Sequence, residues 1–319
     1  MNIPWPTLSS IPPAPSSGLP TETTTDTTGK VLKGNCHCGR NRFDYSPPHN
    51  QTLEDVAVKC SCTLCSKKGY IWLPFPSTPS EGELKWTRND GVTKYWTPFV
   101  WDKFCSNCGT GLVGVHLYGP LKGHALVNVR AIQGANTFFL DSVIKTVHLE
   151  EEGPFEPLAL SPDVLYNGSC HCGNVQFQLK KHGQELEKPW PVKEDNCSSC
   201  VRDAFVGIYP SKEFVFIPEE SYNKAFEYRY NKGRNAIHHC SSCGVMVFMV
   251  IHGPPNLAEI LEKLKKENPE RYRVAKGMAE LNLSLQPLNV RTLEGIDWEC
   301  IRQRVERTDE GTEGYVIAG

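Results

Sequence analysis

The sequence predicts a mainly β protein built as two tandem repeats, with a small helical insertion in the second. Three observations carry this reading. A cysteine pattern occurs twice. The runs between the cysteines are short, rich in aromatic and β-branched residues, and bounded by Gly and Pro, as strands are. One apolar stripe with helical spacing interrupts the second copy alone. A fixed pattern that returns along a chain signals repeated structural units. The 319 residues also suit about two domains of ~100–200 residues each.

Taken in order, residues 1–29 are dominated by Pro, Ser and Thr, with Glu22 and Asp26 as the charged positions. Such a segment has too little apolar surface to offset its ordering entropy, so a disordered tail is expected. The first repeat spans residues 30–158. It opens with Gly34-Asn35-Cys36-His37-Cys38-Gly39, continues through Cys60, Cys62 and Cys65, and closes its pattern with Cys105-Ser106-Asn107-Cys108-Gly109 and Asn128-Val129-Arg130. Strands are expected at Tyr70-Ile71-Trp72-Leu73, Leu84-Lys85-Trp86-Thr87 and Gly111-Leu112-Val113-Gly114-Val115. A linker is expected near Gly153–Pro162, where Pro154, Pro157 and Pro162 cluster.

The second repeat spans residues 163–319. It returns Gly168-Ser169-Cys170-His171-Cys172-Gly173, Cys197 and Cys200, Cys240-Ser241-Ser242-Cys243-Gly244 and Asn289-Val290-Arg291. The interval from Cys65 to Cys105 equals that from Cys200 to Cys240. Val175–Leu179 and Phe226–Tyr230 alternate with period two, as half-buried strands do. The interval from Cys243 to Val290 is longer than its partner, and the added segment, about residues 255–281, has a helical pattern. Asn256 with Glu259 resembles a capping box. Leu257, Ile260, Leu261 and Leu264 form one stripe, and Pro269 is expected to end the helix. Its Lys263, Lys265 and Lys266 suit a solvated face.

Composition narrows the class. With 34 Lys+Arg against 36 Asp+Glu the net charge is −2, which argues against a strongly basic nucleic-acid binder. The longest apolar run, Val245–Ile251, is far short of the ~20 residues of a membrane helix. The N-terminus lacks the basic start and apolar stretch of a secretion signal. The expectation is a soluble intracellular protein, cytoplasmic or nuclear, that makes no use of a membrane. In such a setting the 14 cysteines point to metal rather than to disulfides.

The count of sulfurs then separates two kinds of site. Repeat one offers Cys36-x-Cys38, Cys60-x-Cys62-x2-Cys65 and Cys105-x2-Cys108. A structural zinc takes four tetrahedral ligands, and a reactive one keeps a position open. These sulfurs make one closed set of four and one open set of three. Repeat two keeps Cys170, Cys172, Cys240 and Cys243 but has Asp195 where repeat one has Cys60, followed by Cys197 and Cys200. The outer four therefore vary as a unit, separately from the middle cluster. Three thiolates on Zn²⁺ weaken it as a Lewis acid and suit it to a soft substrate thiolate. The alternative is a third closed knuckle completed by His116 or His49. Asp195 can itself ligate zinc, which gives about three zinc ions per chain, or about four if that site works.

These motifs resemble a tandem member of the family of glutathione-dependent formaldehyde-activating enzymes and centromere protein V. The motifs that carry it cover nearly everything from Lys30 onward, with Phe104 before Cys105 and Thr292-Leu293 after Arg291 among them. The resemblance implies tandem Mss4-like (β-tent) zinc-binding domains. It implies structural zinc on each outer four and catalytic zinc on Cys60, Cys62 and Cys65. It also implies carbon–sulfur lyase or synthase chemistry on a small thiol substrate, such as the glutathione adduct of formaldehyde. The family includes proteins associated with chromatin and microtubules, so a noncatalytic zinc scaffold for a protein or nucleic acid is the competing expectation. Repeat two, with Asp195, is expected to be a degenerate and mainly structural copy.

Other residues carry weaker signals. Lys67 and Lys68 could attract a glutathione carboxylate, though surface lysines are the default. Arg130 and Arg291 could pair with a substrate or be satisfied inside the domain. His37 and His171 are expected to turn away from the metal and orient their loops. Cys300 stands outside the repeat and suits a buried small apolar position. No Ser-His-Asp set, P-loop or dinucleotide fingerprint is present.

Overall fold

The computed structural model describes residues 31–46, 52–75, 83–149, 158–159, 161–181 and 190–308. The expected tail, His49 and most of the expected linker lie outside the described residues. Repeat one contributes β1 (Leu32–Asn35), β2 (Asn41–Ser46), α1 (Leu53–Val56), β3 (Val58–Cys60), α2 (Thr63–Lys68), β4 (Trp72–Phe75), β5 (Glu83–Asn89), β6 (Val92–Trp96), β7 (Val100–Cys105), β8 (Gly111–His116), β9 (Ala125–Asn128), α3 (Thr137–Val143) and β10 (Lys145–Val147). Repeat two follows with β11 (Val164–Ser169), β12 (Gln176–Lys180), β13 (Val192–Asp195), α4 (Ser198–Asp203), β14 (Val206–Ile208), β15 (Val215–Phe216), α5 (Glu219–Asn223), β16 (Ala225–Tyr230), β17 (Asn235–Cys240), β18 (Met246–Ile251), α6 (Leu257–Glu267), α7 (Pro269–Ser284), β19 (Leu288–Asn289), α8 (Trp298–Arg302) and β20 (Val305–Thr308).

Both repeats pair these strands in the same way. The small sheets run β1-β2-β5 and β11-β12-β15. The large sheets run β6-β7-β8-β9-β4-β3-β10 and β16-β17-β18-β19-β14-β13-β20. In each, the last two strands are parallel and every other pairing is antiparallel. The mainly β, tandem reading therefore holds. A Gly–Phe pair recurs in the small sheets, Gly34 opposite Phe43 and Gly168 opposite Phe177. A Cβ on either glycine would lie 2.1 Å from the facing ring, so the bare backbone is what lets the phenylalanine fold over it.

Each large sheet carries a core. Phe43, Ile71, Leu73, Leu112 and Val127 pack together in repeat one. A second cluster runs across the junction, joining Trp72 and Leu126 to Phe177, Val206, Val247 and Phe248. The repeats thus share buried apolar surface, the main favourable term in folding. No helix among the described residues is long and apolar enough to cross a membrane.

Three local expectations are corrected. The strand expected at Tyr70–Leu73 begins two residues later, because the Tyr70 amide still donates to Cys65 O (3.0 Å) and closes α2. Asn256 precedes α6 without any side-chain cap hydrogen bond, so the expected capping box does not form. Pro269 starts a second helix instead of ending the insertion. It sits in the first turn of α7, where no N–H is needed, and Asn268 caps that helix by accepting from the Arg271 amide (3.0 Å). Ile260 and Leu264 of α6 are buried with Ala275 of α7, as the stripe predicts.

Candidate metal centres

The four-sulfur groups form where the two sheets of a repeat meet. Cys36 and Cys38 occupy the turn after β1, and Cys105 and Cys108 the turn between β7 and β8. Their ligand atoms all lie within 4.8 Å of one another, as do those of Cys170, Cys172, Cys240 and Cys243. The sulfur–sulfur edges are 3.5 Å for Cys36–Cys38, 3.7 Å for Cys38–Cys105, 3.6 Å for Cys170–Cys172 and 3.5 Å for Cys172–Cys240. Sulfurs 2.3 Å from a tetrahedral ion lie about 3.8 Å apart, so both groups fit one. Backbone amides face the sulfurs, Asn41 N to Cys36 (3.2 Å) and Val175 N to Cys170 (3.3 Å).

The middle cluster of repeat one is Cys60 at the end of β3 with Cys62 and Cys65 at the start of α2. Their ligand atoms lie within 4.8 Å of one another, and the three are 4%, 0% and 1% exposed. Trp72 Nε1 donates to Cys65 Sγ (3.1 Å), and the Cys62 amide faces Cys60 Sγ (3.4 Å). The Cys60 hydrogen bond pushes Cys62 up to about 11, and burial pushes Cys65 well above its ordinary value. Three such thiols ionise together only beside a cation, so the donor set fits a metal site.

Fully buried His116, at the end of β8, places Nε2 3.8 Å from Cys65 Sγ. Burial lowers its proton affinity, favouring the neutral ring that can ligate or hydrogen-bond. The group of donors mutually within 4.8 Å holds the three sulfurs without this imidazole. In repeat two the corresponding group is Asp195, Cys197 and Cys200, all half-buried. The strand registers pair Val100 with His116 and Asn235 with Ile251, so Ile251 stands where repeat one has His116.

Of the basic candidates, Lys67 joins the two repeats, and the others are held mainly within their own. Lys67 and Lys68 are 8% and 7% exposed, which corrects the surface reading. Lys67 Nζ donates across the junction to Ser169 O (2.9 Å) and Oγ (2.8 Å). At the matching position Arg202 donates back to Asn35 O (3.1 Å) and Oδ1 (3.2 Å). Lys68 instead meets buried Asp102 (2.7 Å), which also accepts from Tyr70 Oη (2.5 Å). Arg130 and Arg291 are satisfied internally: they donate to Gly69 O (2.6 Å) and Ala204 O (2.9 Å), the left-handed residues that end α2 and α4.

His37 and His171 do orient their loops, with partners in the other repeat. His37 Nδ1 lies 2.7 Å from Tyr228 Oη and Nε2 3.2 Å from Ser198 Oγ, while His171 Nδ1 lies 2.9 Å from Tyr95 Oη. Between the repeats, Lys68, Tyr70, Arg202, Asp203 and His239 line a cavity of about 10 Å³, room for one water. Cys300 is corrected as well. It is exposed on α8, its Sγ 3.1 Å from Asp297 Oδ2. Sequence reasoning missed Trp72, Tyr95, Asp102 and Tyr228; the equal cysteine intervals set Tyr230 opposite Tyr95, and only the strand registers, Tyr95 with Asp102 and Tyr228 with Ile237, show Tyr228 to be its counterpart.

No family model matches the chain, and no curated protein matches it either. Among solved structures, a crystal structure of a Rhodobacter sphaeroides protein is similar at 15% identity with a TM-score of 0.31. It covers 44% of this chain and 99% of its own, and at that TM-score the likeness carries no argument about this protein.

Proposed function

We propose that the chain is a zinc-dependent carbon–sulfur lyase or synthase acting on a glutathione or other thiol adduct of an aldehyde, with its repeats as tandem Mss4-like (β-tent) domains. The observation that carries this reading is the trio Cys60, Cys62 and Cys65, three buried sulfurs beside two complete four-sulfur groups. Four-coordinate zinc on that trio would offer one soft position for a substrate thiolate. The protein's own residues prepare the place. Trp72 fixes the Cys65 sulfur through its indole N–H. Burial of the trio keeps water away and strengthens charge interactions around a bound adduct. His116 sets a ring nitrogen beside the trio, where it can hydrogen-bond the substrate oxygen.

The test is a screen of thiol–aldehyde adducts by mass spectrometry, with and without glutathione, on the parent and on Cys62→Ser. The expected result is turnover in the parent that falls by at least ~100-fold in the variant. A parent that binds no thiol, together with a variant that keeps every activity, defeats the proposal.

The same His116 contact favours a second reading, the noncatalytic scaffold. A nitrogen 3.8 Å from Cys65 Sγ is near the ligand-to-ligand spacing of a tetrahedral site and would close it. His116→Ala separates the two. Zinc content stays at about three per chain for the enzyme and falls to about two for the scaffold.

A further inference from the structure

The middle cluster of repeat two differs from that of repeat one in more than one ligand. Cys197 and Cys200 place their Sγ atoms 3.2 Å apart. That is shorter than the 3.5–3.7 Å edges recorded in the four-sulfur groups. It is also shorter than the edge of about 3.8 Å between sulfurs on a tetrahedral zinc. The third donor is a carboxylate in place of a sulfur, and Asp195 Oδ1 accepts from the Cys197 amide (2.6 Å). Ile251 replaces the imidazole of His116. Both residues are half-buried, whereas Cys60, Cys62 and Cys65 are buried.

We propose that Cys197 and Cys200 are a redox-active dithiol, which a small disulfide such as glutathione disulfide converts to an intramolecular disulfide. A disulfide bond needs the sulfurs about 2.05 Å apart, a short side-chain movement from their present contact. Cys197 is the attacking sulfur. It lies at the start of the turn with Ser199 Oγ 3.4 Å away, while Cys200 packs against the cluster of Phe205, Ile237, Met246 and Met249. The Cys197 thiolate attacks one sulfur of the oxidant, the oxidant's S–S bond breaks, and one glutathione thiolate leaves. The Cys200 thiolate then attacks the Cys197 sulfur of the mixed disulfide and releases the second glutathione. The protein loses two electrons and two protons, and the oxidant gains them as two thiols.

The turn that carries the pair also holds repeat one, through Ser198 to His37 (3.2 Å) and Arg202 to Asn35. The oxidation state of the pair is therefore set beside the junction. The inference concerns repeat two and stands apart from the activity proposed for repeat one.

The experiment equilibrates full-length, zinc-loaded protein in graded mixtures of glutathione and glutathione disulfide. Each sample is quenched in acid, alkylated, digested and analysed by mass spectrometry, with zinc measured in parallel. The expected result is that the peptide holding Cys197 and Cys200 loses two hydrogens while zinc per chain is unchanged. In Cys200→Ser, the expected product is glutathione held on Cys197 as a mixed disulfide. Two outcomes overturn the proposal: the pair stays fully alkylatable until the four-sulfur groups lose metal, or its oxidation releases one zinc per chain. Absence of the glutathione adduct in Cys200→Ser overturns the assigned order of attack.

Discussion

Cys60 and Asp195 end the matching strands β3 and β13 and differ in what they offer an ion. Cys60→Ala leaves two sulfurs on the trio, so zinc should fall from about three to about two per chain and thiol binding should be lost. Asp195→Ala should leave zinc content unchanged, because the group has two sulfurs and a carboxylate where repeat one has three sulfurs. Neither substitution touches a four-sulfur group, so both variants should stay folded. Metal analysis and activity on the same preparations check this. Equal loss of activity from both would mean that repeat two works as a site and that the division of labour is wrong. The sulfur clusters were legible in the sequence because CxC and CxxC spacings bring sulfurs within reach of one ion whatever surrounds them. The lysines were not. Lys67 finds Ser169, 102 residues away, and Lys68 finds Asp102, 34 residues away, so their burial depends on tertiary packing that no local pattern records.

The four-sulfur groups act at the scale of elements, tying the turn after the first strand of the small sheet to a hairpin of the large one. A three-stranded sheet is marginal alone, and structural zinc supplies about 10–16 kcal/mol in small domains, as much as the whole stability of a typical one. Cys36→Ser should therefore cost one zinc and the cooperative folding of repeat one, and Cys240→Ser should do the same to repeat two. Metal analysis with circular-dichroism melting decides it, since a variant that melts like the parent has no structural metal at that group. The strands β12 and β16 follow their alternation in sequence, and β5 and β8 their aromatic and branched content. The start of β4 was missed because α2 borrows the Tyr70 amide for its last turn. The second helix of the insertion was missed because proline both stops helices and starts them; only the Asn268 cap decides which.

Across the whole molecule the junction is built from exchanged contacts, Lys67 with Ser169 against Arg202 with Asn35, and Tyr95 with His171 against Tyr228 with His37. Asp141 adds a charged staple on α3. Its carboxylate faces Lys59 (3.3 Å) of its own repeat and Arg307 (3.3 Å) and Arg302 (3.6 Å) of repeat two, at 10% side-chain exposure. Burial alone would raise its carboxyl, but Arg291, Lys59, Arg130 and Arg302 outweigh burial and hold it at about 2, below its ordinary 3.8. The folded protein thus takes up this proton less readily than the unfolded chain. The stabilisation is complete above about pH 4 and is lost as pH falls through about 2. At about 1.4 kcal/mol per unit, that difference is worth roughly 2 kcal/mol. Asp141→Asn should lower stability to denaturant by about that amount at neutral pH, and the gap to the parent should stay constant from about pH 8 to about pH 5. Amide hydrogen exchange should quicken in α3 and in β20, which carries Arg307. A gap that shrinks steadily across that pH range would show that the cations do not hold the carboxylate down, and unchanged exchange in β20 would show that the staple does not join the repeats.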